Sequence, residues 1–304
     1  MDLKSGFLKP VPPYDFEQVL NYIKEYPATQ NDQTVVSNQL IKAFRQQDKT
    51  FAMQVVSKGT VDEPRLKCTI ISEGQMNEMD LENAVRKVRF YLGVDEDLKQ
   101  FYELARDDEL FQPLVNSYYG HHLVKFLSIF EAVVWAILMK EFHTEQAGSI
   151  KKNIQKRLGS IININGVIYR AFPGPDDILR IAEDELKLAI PDTAIREQII
   201  DSAEFLRNVD KYELRDQSYS SVKEKLLKLN GIDERAAIFI LRHGLGRTRE
   251  IMYTDSQLTT AVTRIYGRRH RIDLNKIKEL ADHYGVWKGY WAHYLKLDNT
   301  GAFP

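Results

Sequence analysis

The chain has 304 residues, of which 43% are hydrophobic and 28% charged, and its formal net charge is −1. This composition is typical of a soluble globular protein with room for two or three domains, and the near-zero charge argues against a protein that coats DNA without selectivity. Because Cys68 is the only cysteine, we expect a reducing, cytoplasmic setting and neither an internal disulfide nor a four-cysteine zinc or iron–sulfur site.

The N-terminal residues 1–15 lack the apolar core of a signal peptide. The longest nearly continuous apolar stretch, residues 132–139, is much shorter than the roughly 20 residues that cross a bilayer. We therefore expect no membrane segment.

The N-terminal part of the chain mixes helical and strand-like patterns. Residues 15–26 and 80–92 have apolar side chains at helical spacing. Between them, residues 34–44, 50–57 and 65–72 are rich in β-branched and aromatic side chains. Helix, strands and helix in this order predict an α+β domain with an antiparallel sheet.

Beyond Gly93 the pattern is almost entirely helical, and glycine or proline separates many of the segments. No fixed-period repeat is present, so short helices with short links predict one or two compact helical domains rather than a solenoid. The predicted helices are 98–104, 111–118, 128–141, 145–158, 176–188, 193–208, 221–229, 234–243, 256–266, 274–284 and 287–297.

The segment 222–255 carries the clearest functional pattern. An amphipathic helix leads into a short turn at 230–233, a second apolar helix follows, and a glycine-containing loop ends at Asp255. Backbone N–H groups at a tight turn between helices lack helical partners and suit a phosphate. The segment therefore predicts nucleic acid as a partner and Asp255 as a candidate catalytic carboxylate. Asp255 is equally well placed to cap the next helix, and Gly231 alone is a common helix stop.

This pattern resembles the helix-hairpin-helix of the base-excision DNA glycosylase superfamily and, more narrowly, its 3-methyladenine DNA glycosylase II branch. The likeness runs through nearly the whole chain in order, which makes it more specific than any single motif. The segments that carry it are 12–15, 91–98 with Phe101-Tyr102, 130–132 with 136–138, the hairpin 229–233 with Arg235-Ala236-Ala237, the loop 242–247 and the segment 253–256.

The resemblance implies an α+β fold in which an N-terminal α+β domain with an antiparallel sheet precedes a mainly α-helical helix-hairpin-helix glycosylase core. Two domains of that core flank a cleft. The expected domains are residues 1–96, residues 119–243 with the hairpin, and residues 97–118 joined to 244–304, which carry Asp255.

The resemblance also implies a monofunctional DNA glycosylase of base-excision repair. Such enzymes flip a damaged nucleotide out of duplex DNA and hydrolyse its N-glycosidic bond. An alkylated purine such as 3-methyladenine or 7-methylguanine already carries positive charge and leaves readily, so the carboxylate of Asp255 is expected to stabilise the oxocarbenium-like sugar. Arg235 occupies the position of the Schiff-base lysine of bifunctional relatives, and a guanidinium is no amine nucleophile, so no lyase activity is expected.

Two sets of residues are expected, by resemblance, to contact the DNA. Those of the hairpin and the following loop are Gly231, Ile232, Asp233, Arg235 and Arg247, and those that fill the gap left by the flipped base are Lys140, Glu141 and Phe142. In both sets a carboxylate stands at an unfavourable place. Asp233 replaces a glycine beside a phosphate, and Glu141 falls where a charge would enter the base stack. Phe142 or Met139 takes over that place if the register shifts slightly.

The base pocket is expected, by resemblance, at Tyr22, Phe239 and Trp287, although each of them also fits plain core packing. Late in the last helix, Lys296 stands where relatives often have a tryptophan. A cation at that place would disfavour a cationic alkylated purine.

No catalytic metal is expected, because the seven histidines show no ligand spacing with carboxylates or cysteine. The resemblance implies at most a structural monovalent cation, held by the backbone carbonyls of Leu227, Leu229 and Ile232. The basic run 268–271 is interpreted either as a solvated turn or as a phosphate contact.

The expected partner is double-stranded DNA with a damaged base, and we expect a monomer without an obligate protein partner. Two alternatives remain open at the level of the sequence. One is a non-catalytic protein that binds damaged or distorted DNA on the same scaffold. The other is a helical protein whose hairpin mediates protein contacts, which the charge of Asp233 favours.

Overall fold

The computed structural model describes residues 1–29, 32–209, 211–267 and 272–297. The basic run 268–271 lies outside the described residues. Among the described residues, the strands are β1 (Asp2–Leu8), β2 (Gln33–Val36), β3 (Gln39–Gln46), β4 (Lys49–Ser57), β5 (Leu66–Ser72), β6 (Ile161–Ile164) and β7 (Val167–Arg170).

The helices of the described residues follow the predicted order closely. They are α1 (Phe16–Glu25), α2 (Glu78–Leu92), α3 (Lys99–Arg106), α4 (Gln112–Ser117), α5 (Ile129–Glu141), α6 (Thr144–Leu158), α7 (Pro175–Arg180), α8 (Glu183–Ala189), α9 (Thr193–Arg207), α10 (Lys211–Asp216), α11 (Tyr219–Leu227), α12 (Glu234–Leu245), α13 (Ser256–Tyr266), α14 (Leu274–His283) and α15 (Lys288–Leu297). The predicted helix 176–188 is two helices, α7 and α8, and α10 was not predicted.

The N-terminal part is a five-stranded antiparallel sheet in the order β1-β5-β4-β3-β2, which confirms the predicted α+β fold. Strand β1 was not predicted, because as an edge strand it has mostly exposed side chains and little apolar alternation. The predicted strand 34–44 is two strands, since the chain turns at Ser37, where φ is +52°. Helices α1 and α2 contribute Leu20 and Val88 to the core that also contains Phe51 of β4.

The expectation that strands nearly vanish after Gly93 was wrong at one place, the hairpin of β6 and β7. Asn165 and Gly166 link these strands with φ values of +52° and +86°, the left-handed conformation that a two-residue hairpin turn requires. Ile162 of the hairpin packs against Ala43 and Ile71 of the large sheet. The hairpin therefore extends the N-terminal domain with residues from the middle of the chain.

Two large hydrophobic cores account for most of the buried apolar side chains. One is shared by the N-terminal sheet, helices α1 to α4 and the C-terminal helices α13 to α15. The other lies within α5 to α12 and includes Leu229 and Ile232 of the predicted hairpin. The residue boundaries of the three expected domains stay a prediction.

A buried ionic cluster ties the sheet to the helical part. The carboxylate of Asp32 accepts hydrogen bonds from Lys42 of β3 and, at 2.9 Å, from Lys151 of α6. Lys151 Nζ also lies 2.8 Å from a carboxylate oxygen of Glu131 on α5. These side chains are at most 4% exposed, so the cluster is one of matched charges without access to solvent.

Candidate active site

The predicted hairpin is present between α11 and α12. Gly231 lies in the turn with φ +84°, and a Cβ at this position would stand 2.3 Å from Gln198 Oε1. The left-handed backbone therefore favours glycine, and a side chain here would also displace the Gln198 side chain of α9. The N–H of Asn230 donates to the Asp201 carboxylate at 3.0 Å, which fixes the turn to the same helix.

Asp233 has a local role that the sequence analysis did not assign. Its carboxylate accepts a hydrogen bond from the N–H of Ala236 at 2.9 Å and so caps α12. Arg235, in the first turn of α12, is exposed. The two charges therefore stand side by side at the exposed start of the helix, and the basic one is available to a ligand.

The predicted gap-filling segment lies beside the hairpin at the end of α5. Lys140 Nζ is 3.5 Å from the carbonyl oxygen of Gly231, which brings these two predicted sites together. Glu141 is exposed, whereas Phe142 is half-buried and packs on the second core. Met139 is 38% exposed and is the apolar side chain of this segment with the freest surface.

The loop after α12 begins at Gly246, which has φ +71° and ends the helix. Arg247 is turned away from the hairpin, because its Nη2 donates to the carbonyl oxygen of Arg215 at 2.6 Å and to that of Gln217. The structure therefore does not bring Arg247 together with the other predicted DNA-binding residues.

Asp255 caps α13 and is held at both oxygens. Its Oδ1 accepts from the N–H of Gln257 at 3.0 Å, and its Oδ2 accepts from Lys296 Nζ of α15 at 3.0 Å. The Asp255 and Lys296 side chains are 12% and 19% exposed. The predicted carboxylate thus forms a nearly buried ion pair with the lysine that the sequence analysis marked as a departure.

The charges around Asp255 keep it ionised. Burial raises the pKa of its carboxyl, but Lys296 and, more weakly, Arg235 lower it, and the net effect is a pKa below the ordinary value. For Lys296 burial lowers the pKa, Asp255 raises it, and Arg242 and Arg235 lower it further, so that its pKa falls below the usual range. One carboxylate therefore faces three basic side chains.

A layer of stacked rings lies next to this ion pair. Phe239 stacks on His243 with ring centres 4.6 Å apart, and the Tyr26 ring is also stacked with that imidazole, at 6.0 Å. Tyr22 stacks in turn on Tyr26 at 5.0 Å. Burial, with smaller contributions from Arg242 and others including Lys296, lowers the pKa of His243 to about 3, so the layer is uncharged. Predicted Tyr22 and Phe239 thus belong to one aromatic wall.

Histidines complete the wall, and the sequence analysis missed them. Tyr22 meets the edges of His121 and His293 at 5.6 and 5.2 Å, and the Nε2 atoms of these two histidines lie 2.9 Å apart. In the sequence, His121 and His293 have no spacing typical of metal ligands, and no local pattern connects them. Only the tertiary structure pairs residues 172 positions apart.

Trp287 is not part of this wall. Its Nε1 donates to Gln100 Oε1 at 2.9 Å, and its ring packs near Phe101 and Tyr290. It lines a separate cavity together with Arg247. Neither Asp255 nor Lys296 lines that cavity.

Of the residues whose carbonyl groups are expected to hold a monovalent cation, Leu227 ends α11, and Leu229 and Ile232 lie in the turn that follows. The carbonyl of Leu229 accepts from the N–H of Ile232 at 3.2 Å, so one of its lone pairs remains for a ligand. The cation stays a prediction.

Two negative findings apply to the residues that the structure describes. They contain no group of three or more histidine, cysteine or acidic side chains arranged to hold a metal ion. Among their helices, none combines the length and the apolar character needed to cross a membrane.

No family model matches the chain. Comparison with known proteins nevertheless identifies DNA glycosylases that are similar to it. Over 216 residues, 70% of the chain, it is 24% identical to the DNA-3-methyladenine glycosylase of Bacillus subtilis, of which 71% is covered. The solved structure of a 3-methyladenine DNA-glycosylase from Archaeoglobus fulgidus superposes on 98% of the chain and 100% of its own length, with a TM-score of 0.78 and 21% identity. An 8-oxoguanine glycosylase/lyase from Clostridium acetobutylicum reaches a TM-score of 0.68 at 16% identity, with 97% and 96% of the two chains covered. The predicted resemblance is therefore confirmed: the chain is similar to 3-methyladenine DNA glycosylases and has the fold of the helix-hairpin-helix DNA glycosylases.

Proposed function

We propose that the protein is a DNA glycosylase that hydrolyses the N-glycosidic bond of alkylated purines in double-stranded DNA. The observation that carries this proposal is the position of Asp255. It is an ionised, nearly buried carboxylate at the end of the loop that follows the hairpin, in a chain that shares its fold, end to end, with a 3-methyladenine DNA-glycosylase.

The chemistry requires little beyond charge placement. As the bond between the sugar and a cationic base breaks, positive charge develops on the sugar ring, and a nearby carboxylate in a poorly solvated site stabilises it. Asp255 fits this role because the Gln257 N–H and the start of α13 hold the carboxylate in one orientation. The same carboxylate orients the water that attacks the sugar.

A flipped base would be received by the aromatic wall. Phe239 is half-buried and stacks on the buried His243, so its ring has one face packed and part of its surface free. Tyr22 is 3% exposed and supports the wall from behind. Planar rings of this kind bind a planar purine by stacking.

The duplex would be held at the hairpin. The N–H groups of Asn230 and Ile232 are already engaged within the protein. Those of Gly231 and Asp233, with exposed Arg235, offer donors and charge to a phosphate. Lys140 extends this basic surface because its ammonium lies beside the turn. In the gap left by the base, we assign the insertion to the apolar Met139 and Phe142, with Glu141 remaining at the exposed rim.

We infer that the enzyme is monofunctional. The exposed residue in the first turn of α12 is Arg235, which cannot form a Schiff base. Lys296 is the amine beside Asp255, and as the ammonium partner of that carboxylate it has no lone pair to donate. Incubation with an abasic duplex and borohydride should therefore trap no covalent complex.

One specific observation favours a second candidate, a protein that binds damaged DNA without turnover. Lys296 occupies one oxygen of Asp255 and neutralises its charge. In a binder this pair would be permanent, whereas in an enzyme it yields when the developing positive charge of the sugar competes for the carboxylate.

The deciding experiment measures release of 3-methyladenine and 7-methylguanine from methylated duplex DNA by the wild type and by Asp255→Asn. Asparagine keeps the helix cap but removes the charge, and loss of one such electrostatic group lowers turnover by about 10²- to 10³-fold. Asp273→Asn is the matched control, because Asp273 caps α14 through the N–H of Lys276 at 2.8 Å and has no role in the proposed site. If the wild type binds the damaged duplex but releases no base, the glycosylase is rejected and the non-catalytic DNA-binding protein is supported.

A further inference from the structure

A second cavity lies at the side of the loop that follows α12, apart from Asp255. It has a volume of about 470 Å³ and is enclosed by the start of α11, the loop 246–249 and the short 3-10 turn before α15. The lining residues that bear on its chemistry are Ser218, Tyr219, Arg247, Thr248, Arg249 and Trp287. It differs from the aromatic wall because hydroxyl and guanidinium groups lie among its apolar lining residues.

Two arginines supply positive charge to this cavity. Arg247 is anchored by its Nη2 to the carbonyl oxygen of Arg215, at 2.6 Å, whereas its Nη1 is buried and has no hydrogen-bond partner among the described residues. Arg249 is exposed, and its guanidinium carbon lies 5.6 Å from the centre of the Tyr219 ring. A fixed guanidinium with a free donor is the side-chain geometry that proteins use for oxyanions.

The Tyr219 hydroxyl is an independent sign of a ligand site. The residue is only 7% exposed, and its hydroxyl is buried without a hydrogen-bond partner within the described part of the chain. Burial and the nearby Glu250 raise the pKa of this phenol, so the hydroxyl keeps its proton and is a donor. A buried hydroxyl without a partner is costly, and an acceptor from outside would remove that cost.

The N-terminus of α11 points to the same place. Ser218 caps the helix by accepting the N–H of Ser221 at 3.2 Å, and both Ser218 and Tyr219 line the cavity. The first N–H groups of a helix have no helical partners and carry partial positive charge. The start of α11, Tyr219 and the two arginines therefore all line one volume.

The one lining carboxylate does not cancel this charge. Glu96 lies 2.8 Å from Lys125 Nζ and accepts a hydrogen bond from the Tyr290 hydroxyl, so both of its oxygens have partners. Nearby Glu250 is paired with Lys223 at 2.8 Å. The uncompensated charges at the cavity are those of the arginines.

We propose that this cavity binds a phosphate group, carried either by a small monoester such as a nucleotide or by the backbone of DNA. Tetrahedral phosphate oxygens match donors that converge from a helix N-terminus, a phenol and two guanidinium groups. The half-buried Trp287 forms an apolar wall beside them, which a nucleoside attached to the phosphate would contact. The proposal does not depend on the excision reaction, since Asp255 and Lys296 are not among the lining residues.

Calorimetric titration with inorganic phosphate and with AMP tests the proposal on the full-length protein. Tyr219→Phe removes one hydroxyl and Arg249→Gln removes one exposed charge, so at least one of them should fold as the wild type does. Each should weaken phosphate or AMP binding by about tenfold, the usual effect of losing one charge-assisted hydrogen bond. Arg86→Gln is the control, because Arg86 is an exposed arginine of α2 paired with Glu82 and should bind as the wild type does.

A duplex with an abasic-site analogue, followed by fluorescence anisotropy, distinguishes the two sources of phosphate. Loss of duplex affinity in Tyr219→Phe and Arg249→Gln, with competition by free phosphate, assigns the site to the DNA backbone. Unchanged duplex affinity with weakened AMP binding assigns it to a small monoester. The proposal is overturned if the wild type shows no saturable binding of phosphate or AMP and the variants keep full duplex affinity. It is equally overturned if the variants bind phosphate as tightly as the Arg86→Gln control. Base release by the same proteins reports separately on the proposed glycosylase.

Discussion

Asp32 and Asp255 are both paired with lysine, but in different ways. Asp32 has two lysine partners, Lys42 and Lys151, and Lys151 is shared with a second carboxylate, so two acids meet two bases in a volume closed to solvent. Asp255 has one lysine partner and retains some exposure. Both carboxyl groups have a pKa below the ordinary value, although burial acts against this in each case.

The difference lies in what remains unsatisfied. In the Asp32 cluster the charges cancel, and the burial of every member makes the arrangement structural. Around Asp255 the basic groups are in excess, because Arg235 and Arg242 act on the same ion pair. Excess positive charge near a surface is stabilised when an anion arrives, and DNA phosphate is such an anion. The balanced charges of the Asp32 cluster thus stabilise the fold, whereas the excess positive charge around Asp255 suits the binding of an anion that we propose.

The largest effect should come from breaking the closed cluster. Lys151→Met leaves Asp32 with one partner and Glu131 without its ion pair, and removing one member of a buried pair costs about 3–5 kcal/mol of stability. The midpoint of urea unfolding should therefore fall sharply, while base release per folded molecule stays unchanged. Lys187→Met is the control, because Lys187 pairs with Glu183 at the surface. This variant should have the same midpoint of urea unfolding as the wild type. Equal midpoints for the two variants would contradict a structural role.

The open ion pair should behave in the opposite manner. Lys296→Met frees the Asp255 carboxylate and removes the cation that repels an alkylated purine, so release of 7-methylguanine should rise by about tenfold, a change of about 1.4 kcal/mol in the barrier. Single-turnover kinetics measure it. Lys288→Met is matched, since Lys288 lies on the same helix and its side chain is 18% exposed, against 19% for Lys296. A fall in the rate specific to Lys296→Met would show that the lysine assists catalysis instead.

The pH dependence tests the same pair with a smaller effect. Because Lys296 and Arg235 depress the pKa of Asp255, the carboxylate stays ionised above the ordinary aspartate value of about 3.9, and the rate of the wild type should hold as pH falls from about 8 to about 5. In Lys296→Met, the effect of burial on the pKa of Asp255 is less opposed, so this pKa should rise. The acid limb of the rate profile should therefore move to higher pH. Circular dichroism at each pH controls for unfolding. Coincident acid limbs would refute the assigned cause.

The smallest expected effect concerns the exposed member of the basic excess. Arg235→Gln should remove one phosphate contact and reduce the slope of log K against log salt by about 0.9. Fluorescence anisotropy with a duplex of fixed sequence at several salt concentrations provides the slope. Arg86→Gln, on the distant helix α2, should leave the slope unchanged. If Arg235→Gln leaves the salt slope unchanged, the start of α12 does not contact DNA phosphate.

Local patterns predicted a large part of the fold. The hairpin turn, the cap at Asp255 and most of the helices follow from glycine positions, capping residues and apolar spacing within one segment. Strand β1 and the β6–β7 hairpin were not predicted, because their sequence patterns are too weak to indicate a strand without tertiary contacts. β1 is a mostly exposed edge strand, and β6 and β7 are four residues each. Such strands are stable only because other strands pair or pack with them.

The candidate site was predictable to the extent that it is local. Asp255 stands out because it follows the hairpin and the loop in the chain, whereas its contact with Lys296 joins residues 41 positions apart. Trp287 shows the converse. The resemblance suggested the base pocket, but Trp287 ends the 3-10 turn before α15 and lines the second cavity instead.

The sequence by itself determined the kind of protein, since backbone propensities, caps and the order of its motifs are carried by neighbouring residues. The tertiary structure alone decided how the charges are shared. It placed one lysine on Asp255 and two on Asp32, and it left a donor of Arg247, beside the second cavity, without a partner among the described residues. The physical reason is that desolvation and Coulomb energies depend on distance and burial in space, and neither is encoded in the spacing of residues along the chain.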